Sequence, residues 1–545
     1  MRFLKYFIPV LMISGSILAQ DSPGGQGVEL PQFVITGQEV ITFPPLNKIN
    51  PDHVSSLSKE FISPLFSPEE LVIKEIPSPL KSGHVIFDSV RFFNTGLDAA
   101  FGNNALPRIN GYISIPSGNT LFRAGVNLLN VREYLPKSNF SKYGGDISFS
   151  HLLDEEGGFL PDHTFFADAG FNYSAFGFYG SPLLTAQRRK VSDGLFRLGI
   201  REITDRNINY EISFTDNYLS VPEEDSLSSP GVTENYLGVS GKGKWILPAL
   251  EIGSEITYFT QDYKAGDASL KTNYFKVKGT GFLKPFEEMK AGGGLEFSKF
   301  GDISHLHPYA YFSMQINRNF SLFGEFNPST EFITAKGIVG LNRYANMLKI
   351  RSLDGGGRTG YFINKHISFN AAAKYEFRRY FEINAGAGFF KADNYYYFED
   401  VNKAGLFEPK GSNVNSYNGF ANFNFFPSPY GSLFGEFRYN RITDTDGNLI
   451  PYNPEWKFKL DYGYDFTRDW SGGVKITYFP GAFSDMENKN KLNSVFNLGL
   501  STTYKLGDNA DIYLEGNNLL GQEIYYLRDY REELFDILGG INIRF

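Results

Sequence analysis

Strict alternation of apolar and polar residues over the last strand-length of the chain is the feature that most restricts its fold. Counted back from the C-terminus, one face carries Phe545, Ile543, Ile541, Gly539, Ile537 and Phe535, and the other carries Arg544, Asn542, Gly540, Leu538 and Asp536. Only Leu538 interrupts the polar face. A period of two turns one face of an extended strand toward lipid and the other toward water. The pattern therefore predicts a transmembrane β-strand.

The same alternation recurs upstream. Trp456, Phe458, Leu460, Tyr462, Tyr464 and Phe466 alternate with Lys457, Lys459, Asp461, Gly463 and Asp465, and similar runs cover 367–377 and 208–215. Aromatic residues gather near the ends of these runs, as in the interfacial girdles of membrane barrels. After the N-terminus no apolar run reaches the about 18 residues that a membrane helix needs. The sequence predicts an all-β fold, a large transmembrane antiparallel β-barrel.

Turn residues divide this barrel into short and long connections. Tight turns are predicted near Asp205, Pro248, 285–287, 318–319, 378–379, 427–429, 467–469 and 507–508, and longer connections at 328–365, 392–413, 441–452 and 518–534. Earlier strands are predicted to begin near His84, Arg108, Asn119, Tyr143 and Thr164. Membrane barrels have short periplasmic turns and long extracellular loops, which orients the chain. The count is about 22 strands, and an even number from about 16 to 22 is compatible with the pattern.

Residues 1–20 have the arrangement of a secretory signal peptide. Arg2 and Lys5 precede an apolar stretch from Phe7 to Ile13, and small residues lead to a cleavage position near Ala19 or Gln20. The chain contains no cysteine, which excludes a lipoprotein anchor, disulfides and thiolate metal sites. With the barrel pattern over 84–545, these features predict an outer-membrane location of the Gram-negative type, after signal-peptide cleavage.

The surroundings follow from that location. Outer-membrane lipid and lipopolysaccharide are the expected contacts of the barrel, and the acidic run 223–225 offers carboxylates for divalent ions that bridge lipopolysaccharide. The terminal Phe545 resembles the signal by which barrel-assembly machinery recognises a last strand. The net charge of −8 and the lack of a basic stripe argue against a nucleic-acid partner.

Two C-terminal segments resemble the TonB-dependent receptors, the large-barrel importers of Gram-negative outer membranes. Residues 516–526 and 538–545 are similar to the last hairpin of that family in the order Asn-Leu, Tyr-Tyr, Gly and final Arg-Phe. Residues 451–456, Pro-Tyr-Asn-Pro-Glu-Trp, resemble its proline-bearing loop before a late strand. The resemblance implies transport of a small solute and contact with TonB or another periplasmic protein.

A short segment after the signal peptide carries the partner prediction. Phe33, Val34, Ile35, Thr36 and Gly37 resemble the extended stretch at which such receptors meet TonB. An exposed extended peptide can bind by adding a strand to a partner's sheet. The same pentapeptide is also compatible with an ordinary, loosely held leader.

Residues 21–83 depart from the family pattern. A folded domain needs about 100 residues, and this segment is shorter and contains Pro23, Pro31, Pro44, Pro45, Pro51, Pro64, Pro68, Pro77 and Pro79. Proline is excluded from helix interiors and central strands, so a full plug domain is not expected. Barrels of this size are usually plugged. We expect residues 21–83, the connection 328–365, or both to obstruct the lumen.

The sequence shows no catalytic set, so the chain is not predicted to be an enzyme or to hold a cofactor. Asp302, His305 and His307 have metal-ligating side chains, but a solvated polar loop is the preferred interpretation. The aromatic runs at 395–398 and at Tyr525, Tyr526 and Tyr530 are interpreted as interfacial girdles, with a ligand-stacking platform as the alternative. Two functions remain open: a transporter or channel, and a non-transport scaffold whose N-terminal segment or loops dock a partner.

Overall fold

The computed structural model describes residues 94–153, 162–184, 187–202, 207–222, 231–349, 361–377, 380–426 and 431–545. In this part of the chain almost every element is an antiparallel β-strand. No helix here has the length and apolar character to cross a bilayer. The predicted signal peptide, the proline-rich segment 21–83, the pentapeptide from Phe33 to Gly37 and the acidic run 223–225 lie outside the described residues.

The first half of the chain forms β1 (Thr95–Gly102), β2 (Ala105–Ser117), β3 (Thr120–Val131), β4 (Phe140–Leu152), β5 (Thr164–Gly177), β6 (Arg188–Glu202), β7 (Ile208–Val221), β8 (Val232–Ile246), β9 (Leu250–Ala265), β10 (Ala268–Phe286), β11 (Met289–Phe300) and β12 (Ile303–Asn317). The second half forms β13 (Phe320–Phe326), β14 (Ser329–Ile333), the helix α1 (Ala335–Leu341), β15 (Tyr361–Phe377), β16 (Phe381–Glu399), β17 (Glu408–Phe425), β18 (Ser432–Asp444), β19 (Trp456–Asp465), β20 (Trp470–Phe479), β21 (Val495–Lys505), β22 (Ala510–Asn517), β23 (Tyr525–Leu527), β24 (Tyr530–Arg531) and β25 (Asp536–Arg544).

These strands close into a 22-strand antiparallel barrel, as the sequence predicts. β13 and β14 pair with successive parts of β15 and occupy one strand position, and β23 and β24 form a separate hairpin. Closure joins β25 to β1 in the register Gly96↔Arg544 to Gly102↔Leu538. Phe545 extends this seam, because its N–H donates to the Thr95 carbonyl at 2.8 Å and its carbonyl accepts from the Thr95 N–H at 3.0 Å.

The alternation of side chains follows the predicted faces. On β25, Ile543 pairs with the exposed Leu97 of β1, and Ile541 pairs with the exposed Ile512 of β22. Ile537 has the same parity and is itself exposed, and this outer face is the one that meets lipid. Exposed aromatic side chains lie beside the periplasmic turns, where an interfacial girdle belongs. They are Trp245, Phe286, Phe377, Tyr380, Phe425, Phe466, Trp470 and Tyr504, between 39% and 67% exposed.

Leu538 breaks the polar face of β25 for a packing reason. It is 4% exposed and contacts Ala100 of β1 and Ala105 of β2, with Leu129 and Tyr513 at the edge of the cluster. A small apolar cluster therefore holds the two sides of the seam together on the inner wall. Burial of apolar surface there strengthens the joint between the first and last strands.

The outer connections differ from the predicted loops in two places. The predicted long connection 392–413 is wrong over most of its length, because the β16–β17 ladder continues to the pair Glu399↔Glu408 after a bulge beyond Ala392. Only 400–407 connect the two strands. The region 328–365 contains β14 and α1 in its described part. The predicted strand start at His84 lies outside the described residues.

Candidate functional site at the outer end of the barrel

The connection between β14 and β15 folds back against the inner wall at the outer end of the barrel. We call its described part, residues 334–349, the mouth segment. The side-chain oxygen of Thr334 caps α1 by accepting a hydrogen bond from the Gly337 N–H at 3.1 Å. A helix of seven residues is too short to be stable by itself. Its stability comes from burial, since Ala335 and Ile338 are both 0% exposed.

Glu234 of β8 fixes the first turn of α1. Its carboxylate, 2% exposed, accepts hydrogen bonds from the backbone N–H groups of Ala335 at 2.9 Å and Lys336 at 2.8 Å. The side-chain amide of Gln261 on β9 donates to the same carboxylate. The Lys336 ammonium lies 2.9 Å from the carboxylate of Asp193 on β6. The first N–H groups of a helix have no acceptors within the helix. The Glu234 carboxylate of the inner wall supplies the acceptors for two of them.

Two further side chains from the wall hold the mouth segment beyond α1. The guanidinium of Arg189 on β6 donates to the carbonyl of Ala345 at 2.7 Å. The hydroxyl of Tyr263 on β9 donates to the carbonyl of Met347 at 2.7 Å. Arg189 and Tyr263 are 2% and 1% exposed. Anchors on β6, β8 and β9 therefore tie the segment to one side of the inner wall.

An aromatic cluster joins the mouth segment to the other outer connections. Tyr344 stacks on Tyr530 with ring centroids 3.7 Å apart, and Tyr179 contacts both rings edge-on. The Tyr530 hydroxyl donates to the carbonyl of Gly405 at 2.6 Å. The girdle interpretation is thus wrong for Tyr530, which is 2% exposed within this cluster. Stacked and edge-on aromatic pairs stabilise such a cluster beyond the area that they bury.

The aromatic run 395–398 also lies elsewhere than predicted. It belongs to β16 and not to a loop. Phe398 is a buried member of the large core at the outer end of the barrel, and Tyr395, Tyr396 and Tyr397 pack against it. These residues therefore support the folded outer rim and do not form a lipid-facing girdle.

Charged side chains of the inner wall occur in mixed clusters. Glu251 on β9 is 4% exposed and lies 2.9 Å from the Lys290 ammonium, 3.1 Å from that of Lys244 and 3.7 Å from that of Lys284. A carboxylate that is buried in this way needs opposite charges nearby. The inner wall thus carries both positively and negatively charged side chains.

The metal-site alternative receives no support from the described residues. His305 and His307 lie on β12 with ring centroids 5.7 Å apart, and the Nε2 of His307 is 2.8 Å from the side-chain oxygen of Asn364. Asp302 lies in the turn before β12. Within the ranges that the structure describes, no three histidine, cysteine, aspartate or glutamate side chains are grouped to hold a metal ion.

A carboxyl pair in the last outer connection has altered proton affinity. Burial raises the pKa of Glu533 to about 7, and the nearby Asp536 and Glu532 act in the same direction. A hydrogen bond with Asn104 and the charge of Arg343 oppose the shift. Burial also raises the pKa of Glu532. The packed connection therefore favours the protonated form of both carboxyl groups.

This shift predicts a pH dependence of the outer connection 518–535. A pKa raised from 4.5 to about 7 means that the packed state is favoured below the ordinary carboxyl pKa and loses that contribution as pH rises through about 7. We expect trypsin to cleave after Arg528 faster in the wild type than in Glu533→Gln at pH 8, and the ratio of the two rates to be much smaller at pH 5.5, because the contribution is lost progressively between the two pKa values. The comparison at each pH cancels the pH dependence of trypsin.

The control is Glu487→Gln, which changes an exposed glutamate in another outer connection and should behave as the wild type at both pH values. Equal cleavage of wild type and Glu533→Gln at pH 8 would contradict the prediction.

Comparison with solved structures shows that the barrel is similar in fold to transport receptors of the outer membrane. Neighbouring structures are TonB-dependent receptors with 22-strand barrels. The copper transporter OprC matches with a TM-score of 0.65 at 11% identity, over 84% of this chain and 82% of its own. The FrpB iron transporter from Neisseria meningitidis matches with 0.67 at 12% identity, over 84% and 82%. The siderophore receptor PiuA from Acinetobacter baumannii matches with 0.63 at 11% identity, over 84% and 82%.

At these identities the likeness shows the fold alone. No protein-family model and no curated protein matches the chain. The large barrel fold is therefore established, and the function, the solute and the energy coupling are matters for proposal.

Proposed function

We propose that this chain is an outer-membrane transporter for a small solute, and that the mouth segment closes its outer end until the solute enters. The observation that carries the proposal is the anchoring of 334–349 to buried inner-wall residues, above all Glu234 and Arg189. A scaffold has no need of a polar closure inside its barrel. A transporter needs one, because an open barrel of this width leaks solutes.

The proposed energy coupling uses the N-terminal pentapeptide from Phe33 to Gly37. In this proposal the pentapeptide pairs as a strand with TonB in the periplasm. Support comes from the neighbouring structures, which are TonB-dependent receptors. Their descriptions name copper, iron and siderophores as cargo, and these compounds form the first solutes to test.

Replacing Val34 and Ile35 by proline tests the coupling. Proline lacks the N–H that strand pairing needs, so the double variant should lose binding to the purified C-terminal domain of TonB by at least about tenfold. Uptake should fall to background in cells that express the variant. The probes are radiolabelled copper, a ferric catecholate and a neutral oligosaccharide, tested in a strain without other receptors for them.

The chain offers a matched control. Val40 and Ile41 repeat the same dipeptide after Glu39, so their double proline variant changes the same chemistry at a different position. It should bind TonB and transport as the wild type does. Normal TonB binding by the Val34 and Ile35 variant would refute the coupling. Failure of all three probes to accumulate in the wild type would favour the scaffold alternative.

A further inference from the structure

A continuous row of short polar side chains crosses the inner wall on eight neighbouring strands. Each member is the register partner of the next, in the order β22, β25, β1, β2, β3, β4, β5 and β6. The row consists of asparagines and aspartates around one glycine. We call it the amide row: Asp511, Asn542, Asp98, Asn110, Asn127, Gly144, Asn172 and Asp193.

Every side chain of the amide row faces the lumen. On β2 the exposed, lipid-facing residues are Ile113 and Ile115, so Asn110 has the opposite parity. On β5 the lipid-facing residue Phe171 places Asn172 on the inner side in the same way. Neighbouring strands are about 4.8 Å apart, so the row repeats a polar group at that spacing along the wall.

Gly144 keeps the row continuous where it crosses β4. A Cβ at this position would meet the side-chain oxygen of Asn172 at 2.5 Å and the side-chain nitrogen of Asn127 at 3.2 Å. The absent side chain therefore leaves the space into which the two flanking amides extend. The side-chain amide of Asn172 also donates to the carboxylate of Asp193 at 3.3 Å.

The acidic members of the row are neutralised by basic partners. Asp98 forms an ion pair with Arg108, Asp511 with Arg544, and Asp193 with Lys336 of the mouth segment. The row therefore presents no net charge to a ligand. The last member of the row, Asp193, connects the row to the mouth segment through its ion pair with Lys336.

Three amides of the row remain for contact with a ligand in the part of the barrel that the structure describes. Asn110 is exposed, Asn127 and Asn542 are half-buried, and none of the three side chains has a hydrogen-bond partner among the described residues. An amide offers two N–H donors and one oxygen acceptor. Hydroxyl groups also donate and accept, so a row of amides is complementary to a row of hydroxyls.

An aromatic face lies beside the row. Tyr112 faces the lumen from the same strand as Asn110 and is 47% exposed. Its ring covers Gly96, where a Cβ would meet the ring carbon Cε1 at 2.3 Å. The ring therefore lies against the wall, with the opposite face available for the apolar C–H face of a ligand.

From this geometry we propose that the amide row and Tyr112 bind a neutral, polyhydroxylated ligand, an oligosaccharide by chemical class, along the inner wall. The repeat of the row is comparable to the length of one sugar ring, so successive hydroxyl groups meet successive strands. This inference rests on the proposed function and names its substrate class. Because Asp193 holds Lys336, ligand contact at this end of the row also competes for an anchor of the mouth segment.

The test is calorimetric titration of the purified full-length protein with maltohexaose, cellohexaose and xylohexaose. At least one should bind with a Kd in the micromolar range. The triple variant Asn110→Ala, Asn127→Ala, Asn172→Ala should weaken that binding at least tenfold, and Tyr112→Ala should weaken it as well. The control variant Asn384→Ala, Asn418→Ala, Asn424→Ala removes inner-wall amides outside the row and should leave binding unchanged.

Three outcomes would overturn the inference. In the first, none of the three sugars binds at millimolar concentration. In the second, the triple variant binds the sugar as tightly as the wild type does. In the third, oligogalacturonate binds tenfold more tightly than any neutral sugar. The last would assign recognition to Lys142, which faces the lumen on β4 next to the row. Failure here leaves the proposed transport intact, because TonB coupling is measured separately with the Val34 and Ile35 variant.

Discussion

Replacing Ile338 by aspartate should release the mouth segment from the inner wall. Ile338 is 0% exposed in α1, so the packed state would have to bury a carboxylate without a partner. An uncompensated buried charge costs at least about 3 kcal/mol. Since each 1.4 kcal/mol is a factor of ten, the released state should gain roughly 100-fold in population.

A single introduced cysteine reports this release. The chain has no cysteine of its own, and Ala345 of the mouth segment is 0% exposed, so Ala345→Cys places one thiol under the closure. Maleimide labelling of that thiol in cells should be slow alone and about 100-fold faster with Ile338→Asp, following the population shift.

Leu341 supplies the matched control on the same helix. It is 54% exposed, so Leu341→Asp adds the same charge without burying it. Labelling of Cys at position 345 should stay slow in this variant. Equal labelling rates in the two aspartate variants would show that burial of Ile338 does not hold the segment, and the proposed closure would then be wrong.

The sequence predicts the barrel well because one local rule governs it. Alternation needs no knowledge of distant contacts, so the faces of β19 and β25 could be assigned residue by residue. Periplasmic turns such as 318–319 and 507–508 are predicted for a similar reason, since their residues visibly interrupt the alternation, and the structure has turns there. The strand count follows from the turns.

The outer rim could not be predicted in this way. β16 and β17 extend past the membrane as a paired ladder, and the irregular step after Ala392 resembles the start of a loop. The position of the mouth segment depends on hydrogen bonds with Glu234 and Arg189. The alternation predicts that these two side chains face the lumen but does not predict what they bind. Thr334 is a local feature that could have indicated the start of α1, since threonine is a favoured N-cap residue.

The amide row was hidden for a different reason. Its members are scattered along the chain from Asp98 to Asn542 and become neighbours only through the register of eight strands. Register between strands depends on the stagger of the closed barrel, which a single sequence does not contain. Leu538 could not be interpreted from the sequence for the same reason. It is an apolar residue on the polar face of β25, and only its contacts with Ala100 and Ala105 on neighbouring strands explain it.

Proline at Ile541 should prevent the barrel from closing. Ile541 lies in the middle of β25 and pairs with Ala99 on β1 and Ile512 on β22. Proline removes an N–H from the ladder in a strand that is paired on both sides. No water replaces the lost bond within the bilayer, and an open seam exposes further backbone groups at a cost of several kcal/mol each. We expect no folded, heat-modifiable species on electrophoresis, either in cells or after refolding in detergent.

Two variants separate this structural loss from a loss of recognition. Leu534→Pro places the same residue just outside β25 and should leave the folded species unchanged. Phe545→Ala keeps the backbone hydrogen bonds with Thr95, and its side chain is 67% exposed, so refolding in detergent should be normal. If Phe545 is the recognition signal for assembly, the folded species should fall severalfold in cells alone. A refolding defect as large as that of Ile541→Pro would instead make Phe545 a structural part of the seam.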